Sequence, residues 1–265
     1  MSGFNYHKAS DVADAAGKSS SDDALPLAGG MTLLPSIKLG LSAPSDLVDL
    51  AGIDGLKGIS VDGDTVTIGA MTRHADVAGS ADVRKAIPAL AAMAGGIGDP
   101  QVRNRGTIGG SIANNDPAAD YPAACLGLGA TIVTNNREIA ADDFFTGLFE
   151  TALDAGEIIT AVKFPVPAKA AYEKFPNPAS RYALVGVFVA DGPAGTRVAV
   201  TGAGLNGVFR QGDMESALGA SFSADALEGI SVSEGDMASD LHAAADYRAH
   251  LVGVIAKRAV AAAAG

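Results

Sequence analysis

The sequence predicts an α+β protein in three successive parts, at 1–55, 56–167 and 168–265. Residues 4–50 follow a strand–loop–helix–strand order, the pattern of a βαβ unit. Pro165-Val166-Pro167 places two prolines where neither a helix nor a sheet interior tolerates them, which marks a boundary. Beyond it come two β-rich stretches and a tail with helical apolar spacing.

In order, Phe4–His7 is extended, and Ser10-Asp11 before Ala-rich sequence opens a helix near Ser10–Lys18. A buried strand is expected at Ala24–Ala28, a short helix at Leu33–Leu39 entered at Pro35, and a strand at Leu47–Leu50. In the middle part Val66–Gly69 is extended, Val83–Ala94 is helical by composition, and Ile132–Thr134 and Ile158–Phe164 are extended. Tyr182–Ala190 and Arg197–Thr201 are β-rich, and a helix runs from Asp240 with Leu241, Ala244, Ala245, Leu251, Val252 and Ile255 along one side. His242 and His250 fall on that helix.

Composition narrows the function. Hydrophobic residues make up 48% and charged residues 18%, as in an ordinary globular protein. A net charge of −11 argues against nucleic acid, which recruits clustered Lys and Arg. The single Cys125 excludes an internal disulfide, a zinc knuckle or an iron–sulfur cluster held by this chain alone. There is no apolar run of about 18 residues to span a membrane, and Met1–Tyr6 lacks the basic-then-apolar start of an export signal. A cytoplasmic protein is expected.

Two glycine segments carry most of the functional signal: Ala28-Gly29-Gly30-Met31-Thr32-Leu33-Leu34 and Gly106-Thr107-Ile108-Gly109-Gly110-Ser111. Each combines paired glycines with a hydroxyl residue and no charged side chain. Backbone of this kind lies against an anion and donates N–H groups to it, so the pair predicts a grip on the two halves of a dinucleotide pyrophosphate. In an acidic protein such a site relies on oriented amides rather than on a general positive field.

Other motifs are weaker. Gly202-Ala203-Gly204-Leu205-Asn206-Gly207 matches a Rossmann fingerprint, but the extended sequel Val208–Gly212 predicts a hairpin or bend instead. Gly109–Ala113 is one residue from a nucleophile elbow, yet Asn114-Asn115-Asp116-Pro117 reads as a further loop, and a serine hydrolase is not expected. Asn114, Asn115, Asp116 and Asp120 lack the spacing of a calcium loop. Asp120 before Tyr121-Pro122 reads as the N-cap of a helix to about Leu128, either as a cap alone or as a cap that also meets ligand hydroxyls. Arg103 and Arg105 balance cofactor phosphates or form surface ion pairs. His74 reads as a helix cap, and Tyr172, Phe175 and Tyr182 as core residues or as a face against a flat ring.

Together these segments resemble the FAD-binding medium subunit of the molybdenum hydroxylases, the group of aerobic carbon monoxide dehydrogenase and xanthine dehydrogenase. The resemblance rests on Ala28–Pro35, Ile68–His74, Ile97–Gly110, Ser111–Tyr121, Gly156–Thr160, Tyr172–Phe175 and Pro178–Tyr182, in matching order. It implies two α/β subdomains of the PCMH-type FAD-binding fold, with FAD in the cleft between them, followed by a C-terminal β-sheet and helix domain. It implies backbone contacts to the pyrophosphate from Leu27, Ala28, Gly29, Gly30, Met31, Thr32, Leu33 and Leu34, and from Thr107, Ile108, Gly109, Gly110 and Ser111. Asn114, Asp116 and Asp120 join the cofactor set, Asp120 at a position that meets cofactor hydroxyls. Ile97 and Ile159 match apolar contacts, Lys174 a flavin-side position, and Tyr182 approaches the ring from the C-terminal domain. No residue of this chain is assigned a catalytic or metal-binding role. The implied partners are an iron–sulfur small subunit and a molybdenum cofactor large subunit, in a dimer of heterotrimers, with this chain passing electrons through FAD to an external acceptor. A stand-alone reductase resembling the enolpyruvyl-glucosamine reductases and a non-catalytic assembly subunit are the alternatives.

Overall fold

Three parallel strands open the chain: Asn5–Lys8 and Ala24–Leu27 flank the central Asp46–Asp49, in register Asn5 to Asp46 and Ala24 to Asp46. The structure is a computed structural model that describes residues 3–264; Met1 and Ser2, from the start read for an export signal, lie outside it, as does Gly265. The first helix, Val12–Lys18, is capped by Asp11, whose carboxylate accepts from the Asp14 N–H at 2.8 Å. The predicted βαβ unit is thus present, with a small core of Ala15, Val48, Leu50 and Leu56.

A five-stranded antiparallel sheet follows, ordered Ile59–Asp62, Thr65–Gly69, Ile159–Pro165, Thr131–Thr134, Glu138–Ala140. The helix expected over Val83–Ala94 is two helices, Ala81–Ala86 and Pro88–Gly95. Pro88 excludes Ile87 from helical geometry, and that residue sits at φ −138°, ψ 75°. The second glycine segment opens the helix Ile108–Asn114, capped by the Thr107 hydroxyl, and the loop read at Asn114–Pro117 follows it. The helix's poor intrinsic propensity at two glycines is overridden by packing of Ile108 and Ile112, both fully buried.

The third sheet pairs Lys169–Pro176, Ala183–Gly192, Gly195–Thr201 and Phe209–Arg210, all antiparallel. Ala183–Gly192 is buried on both faces. Val185, Val187 and Val189 meet Leu251, Val252 and Ile255 of the last helix, while Phe188 and Ala190 join the core around helix Asp120–Leu128. Each such side chain contributes about 1.5–3 kcal/mol on full burial, so this strand ties the last sheet to the middle of the molecule. The strand Lys169–Pro176 was not expected from sequence, because Lys, Glu and Ala are depleted in strands; cross-strand pairing supplies the order.

The last helix spans Ala245–Ala264 rather than starting at Asp240. Asp240 turns the chain first, accepting from the His242 and Ala243 N–H groups at 2.8 and 3.0 Å, so His242 precedes the helix and only His250 lies on it. Gly202–Gly207 opens no helix: a bend leads to the short strand Phe209–Arg210, as the sequence predicts, and then to a helix Gly212–Ala220 that it did not.

Candidate functional site

Strand Ala24–Leu27 runs out into Ala28-Gly29-Gly30, and the chain re-enters helix at Leu33. Gly30 takes φ 72°, a left-handed turn that glycine adopts without strain. A Cβ at Gly29 would overlap the Arg105 carbonyl oxygen and stand 2.8 Å from the Gly106 Cα. The two glycine segments, about 75 residues apart in sequence, therefore touch backbone to backbone.

Their amides differ. In the second segment the N–H of Ile108 donates to the Thr72 carbonyl at 3.1 Å, that of Gly109 to Ala70 at 2.8 Å, and that of Gly110 to the Thr107 hydroxyl at 3.2 Å. Ser111 N–H donates to the Thr107 carbonyl. In the first segment the N–H groups of Gly29, Gly30, Met31, Thr32 and Leu33 meet no acceptor within the described residues. The start of a helix leaves such donors open, and here they border a cleft, where an anion can take them up; the second segment abuts them at Gly29.

Both segments line one cleft of about 810 Å³, at the upper end of the range for small-molecule sites. Of the residues expected at the site, Ala28, Gly29, Gly30, Met31, Thr32, Leu33, Ile97, Thr107, Gly109, Gly110, Ser111, Asn114, Asp116, Asp120, Ile159 and Tyr182 line it. Leu27, Leu34, Ile108 and Lys174 do not. Leu27 and Leu34 pack behind Gly30, Ile108 is fully buried in the core, and Lys174 stands behind Asp120. Outside the expected site set, Leu153–Ile158, Ser180-Arg181 and the side formed by Ser19, Ser21 and Asp22 also line the cleft. Gly156–Thr160 and Pro178–Tyr182, two of the stretches that carry the resemblance, offered a signal for the first two; Ser19, Ser21 and Asp22 had none.

Asp120 is not the N-cap; Ala119 is, and Asp120 is the first helical residue. Its carboxylate accepts instead from the Tyr172 phenol and from Lys174 Nζ at 3.0 Å. Burial pushes the Asp120 carboxyl up, with Lys174 and Tyr172 opposing, and burial holds the Tyr172 phenol well above its ordinary value. Asp116 is likewise raised by burial, and accepts from the Ala118 N–H at 2.9 Å. Asn115, in the left-handed region at φ 41°, holds the Phe145–Thr151 hairpin through the Gly147 and Glu150 carbonyls.

Arg103 forms no ion pair among the described residues: its guanidinium donates to the Ile97 and Gly98 carbonyls at 2.9 and 3.0 Å and fixes that bend of the cleft wall. His74 is no side-chain cap. It is buried, its backbone N–H bonds the Gly106 carbonyl at 3.0 Å, and its ring packs 5.3 Å from that of Tyr121.

Glu157 at the cleft edge has a fully buried side chain, paired with Arg137 at 2.9 Å and bonded by Thr134 and the Asp154 N–H. Arg137 foremost holds its carboxyl down to about 2. Arg137→Met should lower stability at neutral pH, by less than the loss of a wholly buried pair because Arg137 is half exposed. A depressed carboxyl stabilises above its ordinary pKa of 4.5 and loses that contribution as pH falls toward about 2. Urea unfolding should show the gap between variant and parent closing across that interval.

Open backbone donors, apolar walls at Ile97 and Ile159 and a buried carboxylate beside them make a cleft suited to a dinucleotide held through the backbone. Residues 2–167 match the family model described as the FAD-binding domain in molybdopterin dehydrogenase. The carbon monoxide dehydrogenase medium chain of Hydrogenophaga pseudoflava is 36% identical over 278 aligned positions, covering 98% of this chain and 96% of the relative. The nicotine 6-hydroxylase medium subunit of Paenarthrobacter nicotinovorans is 34% identical, covering 97% and 96%. A solved structure of reconstituted CO dehydrogenase from Oligotropha carboxidovorans superposes with a TM-score of 0.91 at 34% identity, covering 99% of this chain and 98% of that one. The chain belongs to the family of FAD-binding domains of molybdopterin dehydrogenases. It is an oxidoreductase subunit of the medium-chain type, with FAD as its cofactor and other subunits as its setting. Among the described residues no helix is long and apolar enough to cross a membrane.

Proposed function

We propose that this chain is the FAD-carrying relay of a cytoplasmic molybdenum hydroxylase. It would work with a small iron–sulfur subunit and a large molybdenum cofactor subunit in a dimer of heterotrimers, and hand electrons to an external acceptor. The single observation that carries the reading is the row of unpaired N–H groups from Gly29 to Leu33 beside the cleft. Bound FAD supplies the exchange between one- and two-electron transfer; the protein supplies position and access.

Within that reading the Gly29–Leu33 amides bind the diphosphate, and Thr107, Gly109, Gly110 and Ser111 set its depth. Leu27, Leu34 and Ile108 support these segments from behind. Asn114 and Asp116 complete the polar side, Asp120 meets cofactor hydroxyls, and Lys174 holds Asp120. Ile97 and Ile159 exclude water, while Tyr182, 45% exposed, stands at the mouth where a flat ring would end. The division into 1–55, 56–167 and 168–265 follows the three larger sheets. The substrates of the relatives differ, so the substrate of this complex belongs to its large subunit.

The test is to purify the chain alone and with the products of its neighbouring genes. The expected result is one flavin per chain in a complex that also holds iron and molybdenum, with no substrate turnover by the isolated chain. A colourless complex, or NADPH-dependent reduction of an enoyl substrate by the isolated chain, overturns the proposal.

A further inference from the structure

The Asp120 carboxylate is held at both oxygens. Oδ1 accepts from the Tyr172 phenol and Oδ2 from the Lys174 ammonium at 3.2 Å, and the ammonium also lies 3.0 Å from Oδ1. A carboxylate offers about four lone-pair sites, so with one hydrogen bond on each oxygen it keeps capacity for a further donor. Asp120 stands on the first turn of a helix that lines the cleft. Tyr172 and Lys174 come from a different layer, two residues apart on one face of strand Lys169–Pro176. Lys174 is itself anchored on the Gly96 carbonyl at 3.1 Å.

A glycine in the neighbouring strand lets the phenol reach that point. Gly186 pairs with Lys174 in register, and a Cβ there would overlap the Tyr172 hydroxyl and stand 3.0 Å from Thr201 Cγ2. Its neighbours in that strand are Val185 and Val187. A bare glycine in the interior of such a strand weakens it, and marks a place where another group must come close.

We propose that Tyr172 is a positioning residue for the cofactor site: by occupying Oδ1 it fixes the Asp120 carboxylate in the orientation that meets a hydroxyl of the bound dinucleotide. The proposal rests on the reading that Asp120 meets cofactor hydroxyls. Without the phenol, Oδ1 loses its hydrogen-bond donor and Lys174 alone holds the carboxylate, which is then free to turn away from the ligand hydroxyl.

The experiment uses the assembled complex, stripped of FAD and titrated with FAD and with FAD analogues that each lack one ribityl or ribose hydroxyl. Tyr172→Phe keeps the ring and its packing against Phe188 and removes only the hydroxyl. The expected result is an FAD dissociation constant raised about tenfold, the scale of one charge-assisted hydrogen bond. Against one deoxy analogue, the one lacking the hydroxyl that Asp120 receives, Tyr172→Phe and parent should bind alike. A merely structural role would instead weaken every analogue equally. Gly186→Ala, which displaces the phenol without removing it, should reproduce the FAD loss. Unaltered FAD binding by Tyr172→Phe, or an equal loss against every analogue, overturns the proposal. If the parent complex takes up no FAD, the proposed function falls and this inference with it; if the parent binds and Tyr172→Phe matches it, only the inference falls.

Discussion

A single methyl group at residue 29 is expected to empty the cleft. In Gly29→Ala the new Cβ falls on the Arg105 carbonyl and within 2.8 Å of the Gly106 Cα. Both are backbone, and neither can swing aside as a side chain does. The two segments must part, which costs about 1–3 kcal/mol as overpacking and moves the Gly29–Leu33 donors off the wall that sets their depth. Flavin content of the assembled complex should drop at least about tenfold, since a misplacement of about 1 Å in a preorganised site is felt as orders of magnitude. Far-UV circular dichroism should stay as in the parent, because the three larger sheets do not pass through that contact. Gly17→Ala is the control: it sits in helix Val12–Lys18 with nothing within 4 Å of an added methyl, and should be neutral or slightly stabilising. Full flavin content in Gly29→Ala would refute the view that the segments work as one abutting pair.

The second large effect is acid sensitivity centred on His74. Burial, with the Arg103 charge second, pushes its imidazole down from 6.5 to about 4. The ring is 4% exposed, and its Nδ1 has no partner among the described residues. A histidine held neutral in the fold binds its proton more readily once unfolded, so stability present above about pH 6.5 is lost as pH falls toward about 4. At about 1.4 kcal/mol per unit the loss reaches about 3 kcal/mol. Asp116 and Asp120, raised by burial, act with the opposite sign, so the measurement is a difference. Urea unfolding of parent and His74→Gln, followed from neutral pH to about pH 4.5, should give a markedly shallower slope for the variant. Parallel slopes would show that His74 titrates as a solvent-exposed histidine.

The glycine segments were legible because their chemistry is local: a backbone that must approach another backbone cannot carry side chains, and the sequence shows that directly at Gly29. Strands rich in β-branched residues, such as Ala183–Gly192, were legible for the same reason. What escaped was set by tertiary partners. Lys169–Pro176 has a poor strand composition and is ordered by its neighbour, and Ile108–Asn114 is helical against the propensity of its glycines. Asp120 had the right residue type for a cap, but a lysine and a tyrosine over 50 residues away in sequence claim its carboxylate. Nothing local announces such a pairing. The inequality of the two amide sets was also invisible, since it depends on the Ala70 and Thr72 carbonyls lying across the second segment.

Cys125 sits in the helix that begins at Asp120, at 0% exposure, with burial raising its thiol far above the ordinary value. Oxidants and thiol reagents attack the thiolate, and this one is sealed away in its unreactive form. Sulfenylation, glutathionylation and disulfide cross-linking therefore find no reactive thiolate on the folded chain.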